Sequence, residues 1–352
     1  MTIGLECGGR RNTYDFLRLL AALAVVVGHA TLHLDAHFFW LAPGGAWWFY
    51  DGVNAFFIIS GLFVFRSADR LRQIGARWSD FYVNRLLRIA PAIYAYILVT
   101  AILVVVIGAA TVSDVFSLRG AAWIGSSLAL IPVYRPNFLY DFGIGTVNGS
   151  LWTIPAECSF YVIVPLLVIA SRRMGRRFLP ALAVLALLLA FGAALVGGLL
   201  GKLLLISFLP YLWYFALGIA WYYLRETVRL RWSVAFVAAL LYVLLSVTNH
   251  LAGGHRYWVV LTAIPLSYVI VCVGERGPVV FQRFTQRAGD LSFGTYVWHM
   301  VVVNLMLYSG LRQHLNDTIA VLVAVVGSLM MAWLSWHVVE HRALTRKRSS
   351  SR

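Results

Sequence analysis

Ten stretches of roughly 20 mostly apolar residues, separated by short polar connections, constrain this chain more than any other feature. They run over about 13–33, 49–66, 91–110, 150–170, 178–200, 203–224, 232–249, 256–273, 291–309 and 317–340. An apolar run of that length satisfies its own backbone only as a helix when lipid surrounds it. The 352 residues are 61% hydrophobic and only 12% charged, against about 25% charged in an average soluble domain. The expected fold is therefore an all-α integral membrane protein of about ten transmembrane helices. Residues 111–149 break the pattern, and "AAWIGSSLALIPV" within them is too short to span, which suits a re-entrant or interfacial segment.

The net charge of +15 invites a nucleic-acid reading, but the position of the charges argues against it. With the N-terminus inside, 23 of the 29 Lys and Arg fall in cytoplasmic segments, while Arg119, Arg135, Lys202, Arg256 and Arg312 lie outside and Arg18 lies within the first span. That asymmetry is the positive-inside signature and places both termini in the cytoplasm. No small-residue cleavage site follows the first apolar run, and Asp15 and Arg18 interrupt its start, so it reads as a retained span rather than a signal peptide. The expected organisation is a cytoplasmic N-terminus at 1–12, a transmembrane domain at 13–340 and a basic cytoplasmic tail at 341–352, whose end "TRKRSSSR" reads as disordered and favours anionic lipid. Cys7, Cys158 and Cys272 are too scattered for a disulfide framework or a zinc site.

Ionisable residues inside spans carry the functional information, because each costs free energy and tends to face a cavity or a partner. In "RLLAALAVVVGH", Arg18 and His29 stand eleven residues apart. That spacing returns to within about 20° of the same helix face and separates them by about 16 Å. Arg18 fits either a side chain snorkelling to the interface or the mouth of a cavity; His29 is too deep to snorkel. In "NRLLRIAPAIY", Arg85 and Arg88 share a helical face just ahead of Pro91. They fit an ordinary basic flank or a two-armed phosphate clamp, and Arg66, Arg70, Arg72 and Arg77 in the same cytoplasmic segment would suit a multiply phosphorylated ligand. Glu157 lies about two turns inside the fourth span with no Lys or Arg in helical reach, so it needs a partner on another helix or a proton. His299 in "LSFGTYVWHMVVV" fits a site role or an interhelical hydrogen bond. Glu340 near the end of the tenth span fits a partner for a cytoplasmic arginine or a plain interfacial charge, and His33 and His37 fit acceptor contacts or solvation.

Taken together, these stretches resemble the membrane acyltransferase type 3 family, which includes bacterial O-antigen, exopolysaccharide and Nod-factor acetylases. "YDFLRLLAALAVVVGHA" is similar to the family's opening span, with Asp15, Arg18 and His29 at its Asp, Arg and His positions. "FFIISGLFVF" is similar to its second span, "RLLRIAPAIY" to its Arg-x-x-Arg stretch, "GSLWTIPAECSFYVIVPLL" to its Trp…Glu…Phe-Tyr segment and "LSFGTYVWHM" to its late Tyr-x-x-His motif. "VVEHRA" departs from the terminal Val-Glu-Arg-Pro by an inserted His341 and an alanine in place of proline, and Thr153 departs in the Trp152 motif.

The resemblance implies transfer of an acyl group, commonly acetyl, from cytoplasmic acyl-CoA to a hydroxyl of a lipid-linked or surface glycan, in a bacterial inner membrane. It implies catalytic roles for His29, Arg18, Asp15 and Glu157, and donor contacts from Arg85, Arg88, Arg18 and His299, with no metal. His29 would act as general base on the acceptor hydroxyl or, as a rival step, as the nucleophile of an acyl-imidazole intermediate. The chain closes shortly after the tenth span, so no appended extracytoplasmic hydrolase-like domain is expected, and acceptor choice falls to loops 34–50 and 111–149. Trp40, Trp47, Trp48, Trp123, Tyr134 and Tyr140 there fit sugar stacking or an interfacial aromatic belt. A transporter or flippase for an anionic solute or lipid-linked sugar also explains intramembrane Arg, His and Glu, but it should show paired repeats and broken helices that the sequence lacks. Another membrane O-acyltransferase fold is disfavoured by Arg18 and His29 in the first span. The acceptor and the oligomeric state are not legible in the sequence.

Overall fold

The computed structural model describes residues 13–38, 47–251 and 256–350, so Cys7, Arg10, Arg11, Trp40 and Arg352 lie outside the described residues, as do the side chains of Trp47 and Trp48. All regular structure among the described residues is helical. In chain order the α-helices are α1 (Tyr14–His33), α2 (Trp47–Gln73), α3 (Trp78–Val106), α4 (Val112–Val115), α5 (Leu118–Leu128), α6 (Thr153–Met174), α7 (Phe178–Leu195) and α8 (Gly198–Leu205). They continue as α9 (Leu212–Leu224), α10 (Trp232–Leu251), α11 (Arg256–Arg276), α12 (Val279–Ala288), α13 (Leu291–Tyr308), α14 (Asp317–Ser335) and α15 (His341–Ser350). Among the described residues, seven helical runs are long and apolar enough to cross a membrane, or nine when each of two bent pairs counts as one span. The protein is a multi-pass membrane protein.

Two differences from the sequence reading stand out. First, α3 begins at Trp78 and passes through Pro91 without ending, so Arg85 and Arg88 lie in one helix with the span expected to begin at 91. Proline inside a transmembrane helix is tolerated because neighbouring groups satisfy the freed backbone; Pro165 in α6 and Pro265 in α11 are further cases. Second, the basic tail is helical to Ser350 rather than disordered. It continues a helix already nucleated by α14 and the π-helical segment Trp336–Glu340, and propagation adds a hydrogen bond per residue without a new nucleus. The irregular region 111–149 agrees with the sequence reading: it holds α5, whose N-cap Ser117 accepts from Gly120 N and whose 11 residues are too few to span.

The chain divides into two compact units. One is built from the start of α1 up to Arg18, Val53–Tyr82 and Ala156–Arg287. Within it α6 and α7 run in opposite directions. Phe160 of α6 stacks on Phe215 and lies beside Phe208, whereas Arg172 at the other end of α6 reaches Asp69, which also accepts from Tyr222. Phe178 then opens α7 beside Phe65, and α7 returns along α9 to the turn Leu209–Tyr211. The reversal falls at Gly175, whose φ of +53° an L side chain rarely adopts.

In the same unit α2 and α9 touch backbone to backbone. A Cβ added at Gly61 would lie 2.1 Å from the Phe215 carbonyl oxygen, and one at Gly218 2.1 Å from that of Ile58. Small residues permit this approach where no hydrophobic drive brings helices together in lipid. Gly61→Val should therefore force α2 from α9 and cost about 3 kcal/mol or more; a variant with wild-type thermal stability in detergent would show that the contact is not required.

The other unit comprises Leu19 to Gly52, Val83–Pro155 and the chain from Ala288 onward. Its centre is α13, the most completely enclosed of the long helices, which packs along α14. Gly294 makes this close approach possible, its Cα facing Ala332. Two apolar clusters hold α1 to the pair: Ala30 and Leu34 with Val303, Met306, Ala320 and Ala324, and Leu19 with Leu291, Ala332 and Trp336.

Candidate active site

The second unit places His29 of α1 against His299 of α13. His29 Nδ1 and His299 Nε2 are 2.8 Å apart, and the two rings lie nearly parallel with centroids 5.0 Å apart. His299 is fully buried, and its Nδ1 lies 2.8 Å from the carbonyl oxygen of Tyr296. A carbonyl only accepts, so His299 Nδ1 carries the proton and donates it. His299 Nε2 then holds a lone pair and accepts from His29 Nδ1–H, which leaves Nε2 of His29 as its proton-accepting nitrogen. A backbone carbonyl thus fixes the tautomer of two rings in series. His33, one turn further along α1, stacks over His29 with centroids 5.7 Å apart.

Three polar groups hold α13 in register with the loop before α6. Asn304 donates to the carbonyls of Thr146 and Val147 and accepts from Ile144 N. Asn148 donates to Val297 O, and Tyr296 Oη bonds to Ser150 O and Thr153 Oγ1. Gly143, at φ +60°, lies so close to Asn304 that a Cβ there would meet its side-chain oxygen at 2.2 Å. These contacts fix the orientation of the turn that carries Tyr296 and His299.

At the N-terminal end of α13, Arg88 Nη2 lies 2.5 Å from Asp290 Oδ2. Asp290 is buried and its other oxygen accepts from Ser292 Oγ at 2.6 Å. Glu340 is also buried; it accepts from Ser335 Oγ at 2.8 Å, with Arg88 and Asp290 within electrostatic reach. The π-helical turn Trp336–Glu340 is what carries this carboxylate inward, and such bulges recur at functional sites.

The family model described as an acyltransferase domain matches residues 11–339. The chain belongs to the acyltransferase type 3 family. Nodulation protein 10 of Rhizobium leguminosarum bv. viciae is 29% identical, over 97% of this chain and 95% of its own. The O-acetyl transferase of Shigella phage Sf6 is 26% identical over 96% of this chain and 97% of its own. The peptidoglycan O-acetyltransferase OatA of Listeria monocytogenes serovar 1/2a is 26% identical over 43% of this chain and 23% of its own. No solved structure matches the chain significantly.

The acyltransferase brings some of the sequence-derived residues together and separates others. His29 and His299, assigned from sequence to different tasks, form one hydrogen-bonded pair. Arg18 and His29 lie on one uninterrupted helix, as the spacing required. Arg18 lies 3.5 Å from Asp15 and over the ring of Phe63, in the first unit. Glu157 also belongs to the first unit and accepts from Tyr161 Oη one turn along α6. Of the two arms of the proposed clamp, Arg88 is engaged by Asp290, and Arg85 is half-buried on the same helix. Among the described residues no group of three His, Cys, Asp or Glu side chains is arranged to hold a metal ion. Asp290, Asn148 and Asn304 were not singled out from sequence. Asn304 carried a signal, an amide inside an apolar run, that a search confined to ionisable residues passes over.

Proposed function

We propose that this acyltransferase moves an acetyl group from cytoplasmic acetyl-CoA to a hydroxyl of a cell-surface or lipid-linked glycan, with His29 as general base. The observation that carries this is the His29–His299 hydrogen bond, which orients a proton-accepting nitrogen inside a member of an acyltransferase family. The names of the phage O-acetyl transferase and of the peptidoglycan O-acetyltransferase favour acetyl as the group and a glycan as the acceptor. His29 Nε2 takes the hydroxyl proton as the acceptor oxygen attacks the thioester carbonyl. The tetrahedral intermediate collapses, the C–S bond breaks, and the departing thiolate takes the proton back from His29. Ester and free thiol are the products, and no net proton is released.

Arg85 meets the donor's phosphates, for which a guanidinium is well suited. Arg88 braces α3 against the start of α13. Arg18 and Asp15 form the polar entrance on the His29 helix, and Glu157 with Tyr161 serves the acceptor side. The chain crosses a bacterial inner membrane ten times with both termini in the cytoplasm, residues 13–340 forming the transmembrane domain between a segment at 1–12 and a basic end at 341–352. The run Gly149–Gly192 has 44 residues, more than twice the roughly 20 needed for one crossing, and its reversal at Gly175 supports counting it twice.

The test is direct binding of acetyl-CoA to the purified protein, together with acetylation of membrane glycans. Arg85→Ala should raise the KM for acetyl-CoA about tenfold or more and leave the KM for the acceptor unchanged, as loss of a charge-assisted phosphate contact would. Transport of an anionic solute without acetyl-CoA binding would overturn the assignment.

A further inference from the structure

Three uncharged, buried side chains of α3 and α13 have polar atoms with no hydrogen-bond partner: the hydroxyls of Thr100 and Thr295 and the indole Nε1–H of Trp298. A buried donor left unmade costs free energy, so such groups call for an occupant. The two threonines are unusual for their setting. A hydroxyl inside a helix ordinarily turns back on a carbonyl three or four residues earlier. Ser328, Thr248 and Thr285 of this chain do so, onto Ala324, Leu244 and Phe281. Thr100 and Thr295, each wholly buried, do not.

Their placement is common. Thr295 and His299 are four apart on α13 and so share a face, with Thr295 one turn toward the helix start. Trp298 adjoins His299 in sequence, and its ring stands edge-on to Tyr96 of α3 with centroids 5.7 Å apart. Thr100 is one turn beyond Tyr96 on α3. Their neighbours along the two helices, Ile93 and Ile97 on α3 and Val297 on α13, are apolar and buried.

We propose that Thr100, Thr295 and Trp298 bind the uncharged amide arm of the acyl-CoA donor and lay its thioester against His29. The inference rests on the reading of the protein as an acyl-CoA-dependent enzyme. A pantetheine arm is a mostly apolar chain that carries two amides and one hydroxyl. It matches few, separated polar atoms among apolar residues, whereas a sugar would demand many more. The indole can only donate, so it pairs with an amide carbonyl; each threonine hydroxyl can accept an amide N–H or donate to a carbonyl.

The experiment compares wild type with Trp298→Phe, Thr295→Val and Thr100→Val in detergent or nanodiscs. The readouts are KM for acetyl-CoA, KM for the acceptor, thermal stability, and turnover of an acetyl thioester of 2-mercaptoethanol, which has no amide. Each variant should raise the KM for acetyl-CoA about tenfold, keep the KM for the acceptor, and turn over the amide-free thioester as wild type does. Thermal stability should be unchanged or higher, since an unpaired polar atom has been removed. Wild-type KM for acetyl-CoA in all three variants would overturn the proposal and assign these groups to ordered water. Equal losses with the two thioesters would overturn it in favour of a packing role. If wild type itself binds no acetyl-CoA, the functional reading fails first and this proposal with it.

Discussion

His29→Ala should lower acyl transfer by about 10²–10⁴-fold while the protein still inserts and binds its donor. The alanine removes the only ring on α1 that His299 contacts through a hydrogen bond of 2.8 Å, and with it the proposed proton acceptor. His299→Phe should also lower kcat, by about 10–100-fold, with the KM for acetyl-CoA little changed. Its effect runs through His29: the Nε2 acceptor that holds the proton on Nδ1 of His29 is lost. His299→Gln retains an acceptor oxygen and should recover part of the loss. The double variant should be no slower than His29→Ala alone, because residues that act as one unit give non-additive losses. Additive losses, or wild-type turnover in His299→Phe, would show that the two rings act separately. A packing role for His299 would instead appear as lost thermal stability that glutamine does not repair.

Arg88→Ala should be the most destabilising single change at the N-terminal end of α13, and Arg85→Ala should be milder. Removing Arg88 strands the buried Asp290 carboxylate, with Glu340 close enough to add like charge. Breaking a buried ion pair by deleting one partner costs about 3–5 kcal/mol. The expected result is a clear fall in the unfolding temperature of Arg88→Ala in detergent. A paired replacement, Arg88→Met with Asp290→Leu, should recover much of it, since a matched apolar pair leaves no stranded charge. Arg85→Ala should keep its unfolding temperature and weaken donor binding. If both arginine variants instead raised the KM for acetyl-CoA equally at wild-type stability, the two would be arms of one clamp after all.

That contrast also marks how far the sequence reached. Arg85 and Arg88 are neighbours on a helical wheel, and the ion pair of Arg88 with Asp290, some 200 residues later, is not legible from that wheel. The Arg18–His29 spacing was informative because it concerns a single helix, and α1 is continuous across it. The His29–His299 pair was not legible, since it depends on how α1 and α13 pack, 270 residues apart. Helix boundaries failed where a local signal was overruled. Pro91 reads as a helix start, yet α3 runs through it, and a run of Arg, Lys and Ser reads as disorder, yet it extends an existing helix. Asn148 and Asn304 escaped because a neutral amide is costly in lipid only when unpaired, and their partners, a carbonyl of α13 for Asn148 and loop carbonyls for Asn304, are contacts that no periodicity reveals.

The most direct measurement is transfer of radiolabel from acetyl-CoA to membrane glycan in vesicles carrying equal amounts of wild type, His29→Ala or His299→Phe. Wild type should yield base-labile label that depends on acetyl-CoA, His299→Phe a reduced amount, and His29→Ala only background. Label at the wild-type level in His29→Ala vesicles would contradict the assignment of this histidine as the base.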